Sequence, residues 1–209
     1  MGGTFDPVHG GHLAVARQVL ARYKLDTVLF IPAPSPPHKE RSLTPFVHRV
    51  AMLEAALEGE PGFGLSILEA ERPSPSYTVE TLEELHHRLD PCRLYLIVGA
   101  DMFIEIHLWY RYEDLFRLAD LIVAARPGVS HAAVTDKVAS LPDSFTPDDE
   151  RQSWLSSGGS RVYYLPDTNV TISSSQIRHL LALGESVDKV IPAEVHAYIR
   201  HHQLYRTID

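Results

Sequence analysis

Short runs of consecutive apolar residues alternate along the chain with segments whose apolar positions recur every three or four residues. The runs Val28 to Ile31, Leu65 to Leu68, Leu94 to Val98, Leu121 to Ala124 and Val162 to Leu165 predict strands. Several are apolar at every position, the pattern of strands covered on both faces. Between them, Leu13, Ala16, Leu20 and Tyr23 share one helical face, as do Phe46, Val50, Leu53 and Leu57 after a Thr44-Pro45 start, with Gly59 placed to stop the second helix. Val79, Leu82, Leu85 and Leu89 predict a third helix ending near Asp90-Pro91. Ile177, Leu180 and Leu181 predict one before Gly184, and Val195, Tyr198 and Ile199 a last one after Pro192. This is the order of βα units, so the expected class is α/β: a doubly wound, mostly parallel sheet with helices on both faces. One stretch breaks the pattern. Pro142 to Ser160 holds two prolines, an acidic Asp148-Asp149-Glu150 run and Ser156-Ser157-Gly158-Gly159-Ser160, and it reads as a mobile surface loop over residues 142–160.

Composition narrows the class without changing it. With 209 residues, 44% hydrophobic and 22% charged, the chain fits a single domain spanning 1–209. Lys plus Arg number 19 against 27 for Asp plus Glu, a net charge of -8, so the chain lacks the basic surface that releases counterions from a nucleic-acid backbone. No apolar run approaches the roughly 20 residues that span a bilayer. No basic stretch followed by an apolar one opens the sequence, and a lone Cys92 forms no internal disulfide. A cytoplasmic protein with neither nucleic-acid nor membrane partners is expected. These patterns carry no sign of oligomeric state.

Candidate chemistry concentrates in Gly2-Gly3-Thr4-Phe5-Asp6-Pro7-Val8-His9-Gly10-Gly11-His12, which leads directly into the first helix. Small residues let a backbone approach a phosphate, and a helix N-terminus adds unpaired N–H groups and a favourable dipole. Two histidines separated by Gly10 and Gly11 at that terminus can both face one anion. The plain alternative is a Gly-rich turn with incidental histidines in a chain holding 12 of them. Pro36-Pro37-His38-Lys39, taken alone, is a Pro-rich connector. Ser76 or Thr78 is placed to cap the third helix. Gly99-Ala100-Asp101-Met102 ends a buried strand, the edge at which open α/β sheets bind ligands, and Trp109-Tyr110 follows, where Trp109 suits core packing as readily as stacking on a ligand. Ala125-Arg126-Pro127-Gly128 ends the next strand. Ile172 to Arg178 puts small hydroxyl residues at a helix start with an arginine one turn in, which makes either a second anion site or a capping box. His86-His87 and His201-His202 read as exposed side chains on or beside helices. Zinc, dinucleotide-fingerprint and serine-hydrolase motifs are absent.

As a string, GGTFDPVHGGH closely resembles the signature of the HxGH nucleotidyltransferase superfamily, in particular the bacterial nicotinate-nucleotide adenylyltransferases. Phosphopantetheine adenylyltransferases usually carry Thr where His9 stands, and cytidylyltransferases usually lack the Asp6-Pro7 pair. Further matches run in order nearly to the C-terminus: Pro36 to Lys39, Ser76 to Thr78, Gly99 to Met102, Trp109-Tyr110, Ala125 to Gly128, and Ile172 to Arg178, where Ser175 replaces the Thr usual in ISSTxIR. The resemblance implies a Rossmann-like single nucleotidyltransferase domain that moves AMP from ATP to nicotinate mononucleotide in NAD biosynthesis, with Mg²⁺ carried on ATP and no metal ligands of its own. It implies that His9, His12, Lys39 and Arg178 act catalytically on phosphates. Gly3, Thr4, Phe5, Gly99, Asp101, Arg126, Ser173 and Ser174 would bind ATP, with Asp101 on the ribose and Arg126 on phosphate. Thr78, Trp109 and Tyr110 would bind the nicotinate, and Arg49 is a weaker candidate. Another adenylyltransferase of the same fold, using a nicotinamide mononucleotide or phosphopantetheine acceptor, is the nearer alternative; a non-catalytic nucleotide-binding module is the more distant one. Related enzymes feed the Gly turn from a buried strand, so such a strand is expected upstream of Met1, whose absence would leave the protein loosely packed.

Overall fold

A computed structural model describes residues 1–34, 43–73, 75–166, 168 and 172–206, and the chain divides into two compact units, one formed by Met1–Pro75 with Asn169–Asp209 and the other by Ser76–Thr168. The fold is α/β, and the strand edges and helix starts of each unit carry the candidate residues.

In the first unit, β1 (Gly2–Gly3), β2 (Val28–Pro32) and β3 (Phe63–Leu65) form a parallel sheet in that order, with Gly2 opposite Ile31 and Val28 opposite Phe63. Helix α1 (Gly10–Arg22) buries Leu13, Val15, Ala16 and Val19; Leu13 and Ala16 belong to the predicted face, while Leu20 and Tyr23 are only partly buried and Val15 and Val19 take the core positions. Helix α2 (Phe46–Leu57) follows Pro45 and ends before Gly59, whose φ of +75° is the left-handed conformation that glycine adopts at least cost. It packs on α8 (Ala193–His201), and α7 (Ser174–Ala182) completes the unit. The strand expected over Leu65 to Leu68 lies two residues earlier, because Leu68–Glu71 forms a 3₁₀ turn that buries Leu68 beneath the sheet edge.

In the second unit, β4 (Tyr95–Gly99), β5 (Asp120–Ala124) and β8 (Arg161–Leu165) are parallel, and β7 (Ser153–Ser156) and β6 (Phe145–Asp148) continue the sheet antiparallel, in the order β4-β5-β8-β7-β6. Strand β5 is buried at every position, as the all-apolar run predicts for a strand with neighbours on both sides. Val98, Phe103, Ile106, Leu115, Leu121, Val123, Val134 and Val162 are the centre of its core, to which α3 (Thr78–Leu89), α4 (Ala100–Ile104), α5 (Tyr112–Leu118) and α6 (His131–Ala139) contribute.

The stretch from Pro142 to Ser160 is not the surface loop its composition suggests. Phe145–Asp148 and Ser153–Ser156 are strands joined through a 3₁₀ turn over Asp149–Arg151, Trp154 is buried, and Ser157-Gly158-Gly159-Ser160 is the tight turn into β8, with Gly159 at φ +89°. Burial is concentrated on β7, where Ser153, Trp154 and Ser156 are buried, while Thr146 and Pro147 of β6 are exposed; Pro147 is tolerated because β6 is an edge strand. His86 also departs from expectation, since its ring bonds the Leu118 carbonyl.

Candidate active site

The Gly-rich motif folds as a turn whose form follows from its residues. Phe5 sits at φ +49°, a left-handed conformation costly for a bulky side chain, and its ring is buried against Phe30 and the edge of His12. A Cβ at position 3 would lie 3.1 Å from that ring, so glycine gives Phe5 its room. Gly10 serves a close approach of another kind: its N–H donates to Val190 O at 2.8 Å, and a Cβ there would meet the same oxygen at 3.2 Å.

His9 and His12 begin α1 as a reciprocal cap. The Gly11 N–H donates to His9 Nδ1 at 3.1 Å, the His9 N–H donates to His12 Nδ1 at 3.3 Å, and the rings stack at 3.7 Å. Because each Nδ1 accepts from a backbone N–H, each neutral ring carries its proton on Nε2. Two Nε2–H donors thus stand at a helix N-terminus, where the macrodipole also favours an anion.

The start of α7 is bonded to the same turn. Ser173 and Gln176 form the capping box read in the sequence, at 2.8 and 3.3 Å. Ser174 Oγ donates to Pro7 O at 2.9 Å, and Arg178 Nη1 donates to Asp6 O at 2.6 Å with Nη2 on Ser175 Oγ at 3.1 Å. The unit therefore brings Gly3, Thr4, Phe5, His9, His12, Ser173, Ser174 and Arg178 together. Lys39, with the rest of Pro36 to Lys39, lies outside the described residues.

Arg49 has a different place from the one expected. It is 1% exposed and donates to four carbonyls: Thr4 O at 2.7 Å, Ala33 O at 2.8 Å, and Thr44 O and Pro34 O at 3.0 Å. Burial pulls its guanidinium below the ordinary value, a shift that the nearby Asp6 charge opposes. Arg49 ties the phosphate-type turn to both ends of the 33–44 connection. Its position on the apolar stripe shared with Met52, Leu53 and Ala56 is the sequence signal for this role. Asp6 and Tyr205 were missed as site residues; their pairing spans nearly the whole chain, so no local pattern announces it.

In the second unit the carboxyl edge of the sheet carries a second group. Gly99 closes β4 opposite Ala124 of β5, and a Cβ on Gly99 would lie 2.4 Å from Asp101 Oδ1 and 2.9 Å from Arg126 Nε. Glycine thus lets Asp101 and Arg126 approach to 3.9 Å, with Asp101 59% exposed and Arg126 Nε buried without a hydrogen-bond partner. Elsewhere in the unit, Tyr110 is half exposed and its ring lies 4.5 Å from that of Tyr77, while Trp109 is packed on the core. Thr78 is the first residue of α3, not its cap; Tyr77 holds that position and makes no side-chain capping bond.

Nucleotidyltransferases that act on ATP use a divalent metal. Among the described residues no three His, Cys, Asp or Glu side chains converge on a point, and no helix is long and apolar enough to cross a membrane. The donor set at the α1 start is imidazole and backbone N–H, which suits phosphate oxygens.

A cytidylyltransferase-like family model matches residues 1–180. The chain is 39% identical over 98% of its length to a protein of Pelobacter propionicus and 40% identical over 98% to one of Geobacter sulfurreducens, covering 96% of each; both are named "Probable nicotinate-nucleotide adenylyltransferase". Its fold is similar to that of Plasmodium falciparum nicotinic acid mononucleotide adenylyltransferase complexed with NaAD, at TM-score 0.74 and 20% identity over 98% of this chain and 94% of that one. On the motif, the caps at the two helix starts and these relationships, the chain belongs to the nicotinate-nucleotide adenylyltransferase family of cytidylyltransferase-like nucleotidyltransferases.

Proposed function

We propose that the protein, acting in the cytoplasm as one catalytic domain of residues 1–209, transfers AMP from MgATP to nicotinate mononucleotide and releases pyrophosphate. The observation that carries this reading is the reciprocal His9–His12 cap, which turns both Nε2–H groups into donors at a helix N-terminus. The acceptor's phosphate is already an anion at neutral pH. Its oxygen attacks the α-phosphorus of ATP, a new P–O bond forms, the bond to the β-phosphate bridging oxygen breaks, and pyrophosphate leaves with the electron pair. No general base is required. The protein's task is to hold two anions in line and to neutralise charge on the transferring and leaving groups.

His12 and His9 would donate to the α- and β-phosphates, with the backbone at Gly3, Thr4 and Phe5 alongside. Arg178 and Lys39 would add positive charge, and the start of α7 at Ser173 and Ser174 further donors. Mg²⁺ would enter on the ATP phosphates, lowering their charge while keeping water among its ligands. Asp101 would accept from the ribose hydroxyls, and the bare Arg126 Nε would meet an anion. The backbone near Thr78 and Tyr110 would bind the pyridine carboxylate, with Trp109 against the ring.

Main-chain N–H donors satisfy a carboxylate but face the NH₂ of a carboxamide donor to donor. Pyrophosphate release from ATP should therefore be faster with nicotinate mononucleotide than with the amide, by about 10-fold or more in kcat/KM. Equal efficiency with the two acceptors would remove the assigned carboxylate site. Turnover with phosphopantetheine alone would replace the acceptor, and ATP binding without turnover would leave a binding module.

A further inference from the structure

We propose that Tyr205, in the turn that follows α8, is a positioning residue for adenylyl transfer, acting through Asp6 on Arg178 and on the turn that carries His9 and His12. The proposal rests on the function proposed above, and it deepens it by giving the site a second layer drawn from the far end of the chain.

Asp6 lies inside the Gly-rich motif and is 2% exposed. A carboxylate so placed requires donors, and three elements supply them. Tyr205 Oη donates to Asp6 Oδ1 at 2.7 Å, the Thr44 N–H donates to Oδ2 at 3.4 Å, and Arg178 Nη1 stands 3.9 Å from Oδ2 while donating to the Asp6 carbonyl at 2.6 Å. One residue of the turn therefore touches the C-terminal segment, the end of the strand-to-helix connection at Thr44, and the arginine assigned to phosphate.

Tyr205 is built for this contact. The chain leaves α8 through a bond from the Leu204 N–H to Ile199 O at 3.0 Å, and Tyr205 takes a φ of +63°, left-handed for a bulky residue, with its hydroxyl turned inward to 3.9 Å from Met52 Sδ. Burial and the bond to Asp6 hold the hydroxyl above its ordinary titration range, so it remains a donor throughout the working pH range. Loss of that donor releases one oxygen of Asp6. Arg178, whose guanidinium is steered by both the carboxylate and the carbonyl of Asp6, then loses its fixed orientation toward the phosphates.

The test is Tyr205→Phe in the full chain, which keeps the ring and deletes the hydroxyl that donates to Asp6. Single-turnover rates per folded enzyme, KM for both substrates and calorimetric binding of MgATP are compared with wild type, alone and in an Arg178→Lys background. The expected result is a loss of about 10- to 100-fold in kcat with KM for nicotinate mononucleotide within twofold, as for a misplaced catalytic group, and weaker MgATP binding. In the Arg178→Lys background the same change should cost less than threefold, because both substitutions break one chain of contacts. A purely structural hydroxyl would lower the melting temperature while leaving kcat per folded molecule and MgATP binding unchanged; that result overturns the proposal, as does an equal loss in both backgrounds. Should wild type show no turnover with any acceptor, the function falls separately. The Tyr205 assignment then stands or falls on whether Tyr205→Phe weakens MgATP binding.

Discussion

Strand β5 in the second unit is buried at all five positions between Leu96 and Val98 of β4 and Val162 of β8, whereas among the most enclosed side chains of the first unit are Arg49, His9 and Asp6. The difference reflects what each has to hold. A sheet satisfies its own backbone through the ladder, so apolar side chains can fill the rest. The turn over Thr4 to His9, assigned above to phosphate, has no ladder. Its carbonyls are instead gripped from behind, Thr4 by Arg49, Pro7 by Ser174 and Asp6 by Arg178. Function is bought here with buried polar bonds, and such bonds are unforgiving: a lost apolar contact leaves a cavity, while a lost donor leaves a desolvated oxygen.

The largest effect should come from breaking the grip itself. Arg49→Met removes five hydrogen-bond-capable N–H groups and strands four carbonyls, at about 1–3 kcal/mol for each that water cannot reach, so we expect a loss of about 4 kcal/mol or more. Urea unfolding checks it. Because the Thr4 and Ala33 carbonyls are released together, kcat should fall even under conditions where the variant is folded, and a variant with wild-type stability would show that the four bonds are worth nothing net.

His12→Ala attacks the front of the same turn. On the proposed mechanism one preorganised donor to the transferring phosphate is removed, and kcat should fall about 10²- to 10³-fold. The melting temperature should move far less, since the His9 N–H loses only a capping acceptor at a helix start. Wild-type turnover in this variant would take His12 out of the mechanism.

Leu121→Ala supplies the opposite case in the second unit. Leu121 is fully buried between Leu96 of β4 and Val162 of β8. The cavity should cost about 2–5 kcal/mol of stability. At a temperature well below the new midpoint, kcat and both KM values should stay within twofold of wild type. A large change in kcat would show that the sheet core, not only the polar turn, sets the geometry of the site.

The same contrast governs what the sequence made legible. All-apolar runs announce β2, β4, β5 and β8 to within a residue, and helical stripes announce α1, α2, α3, α7 and α8, because burial writes itself into periodicity. The hairpin of β6 and β7 stays hidden because its burial follows no period of two: Ser153 and Ser156 are buried polar residues, and Trp154 with Leu155 is too short an apolar signal. The short helices α4 and α5 carry too few turns to show a stripe. At the site, the string from Gly2 to His12 was readable because caps and close approaches demand particular residues at neighbouring positions. Arg49 was read as facing a ligand when it faces the backbone, since a charge on an apolar stripe has both meanings. The pairing of Tyr205 with Asp6, across 199 residues, has no local signature.

The smallest effect separates buried from exposed carboxylates within the first unit. Asp188 resembles Asp6 on paper, accepting from Ser186 Oγ at 2.9 Å and lying 2.6 Å from His196 Nδ1, yet its side chain is 67% exposed. The Ser186 hydroxyl and then His196 hold its pKa below the ordinary 3.8. A depressed pKa in the folded state means that stabilisation is present above the unfolded value and is lost as pH falls through the folded one. Asp188→Asn should therefore melt about 2 °C or less below wild type near neutral pH, as exposed pairs are screened by water and salt, and the two should coincide once the pH drops to about 2. Raising ionic strength at neutral pH should shrink the difference further. Scanning calorimetry across that range decides the matter: a difference that persists at low pH, or that exceeds the effect of a substitution at Asp6, would mean that exposure does not grade these carboxylates and that the contrast between the polar turn and the solvated surface is misplaced.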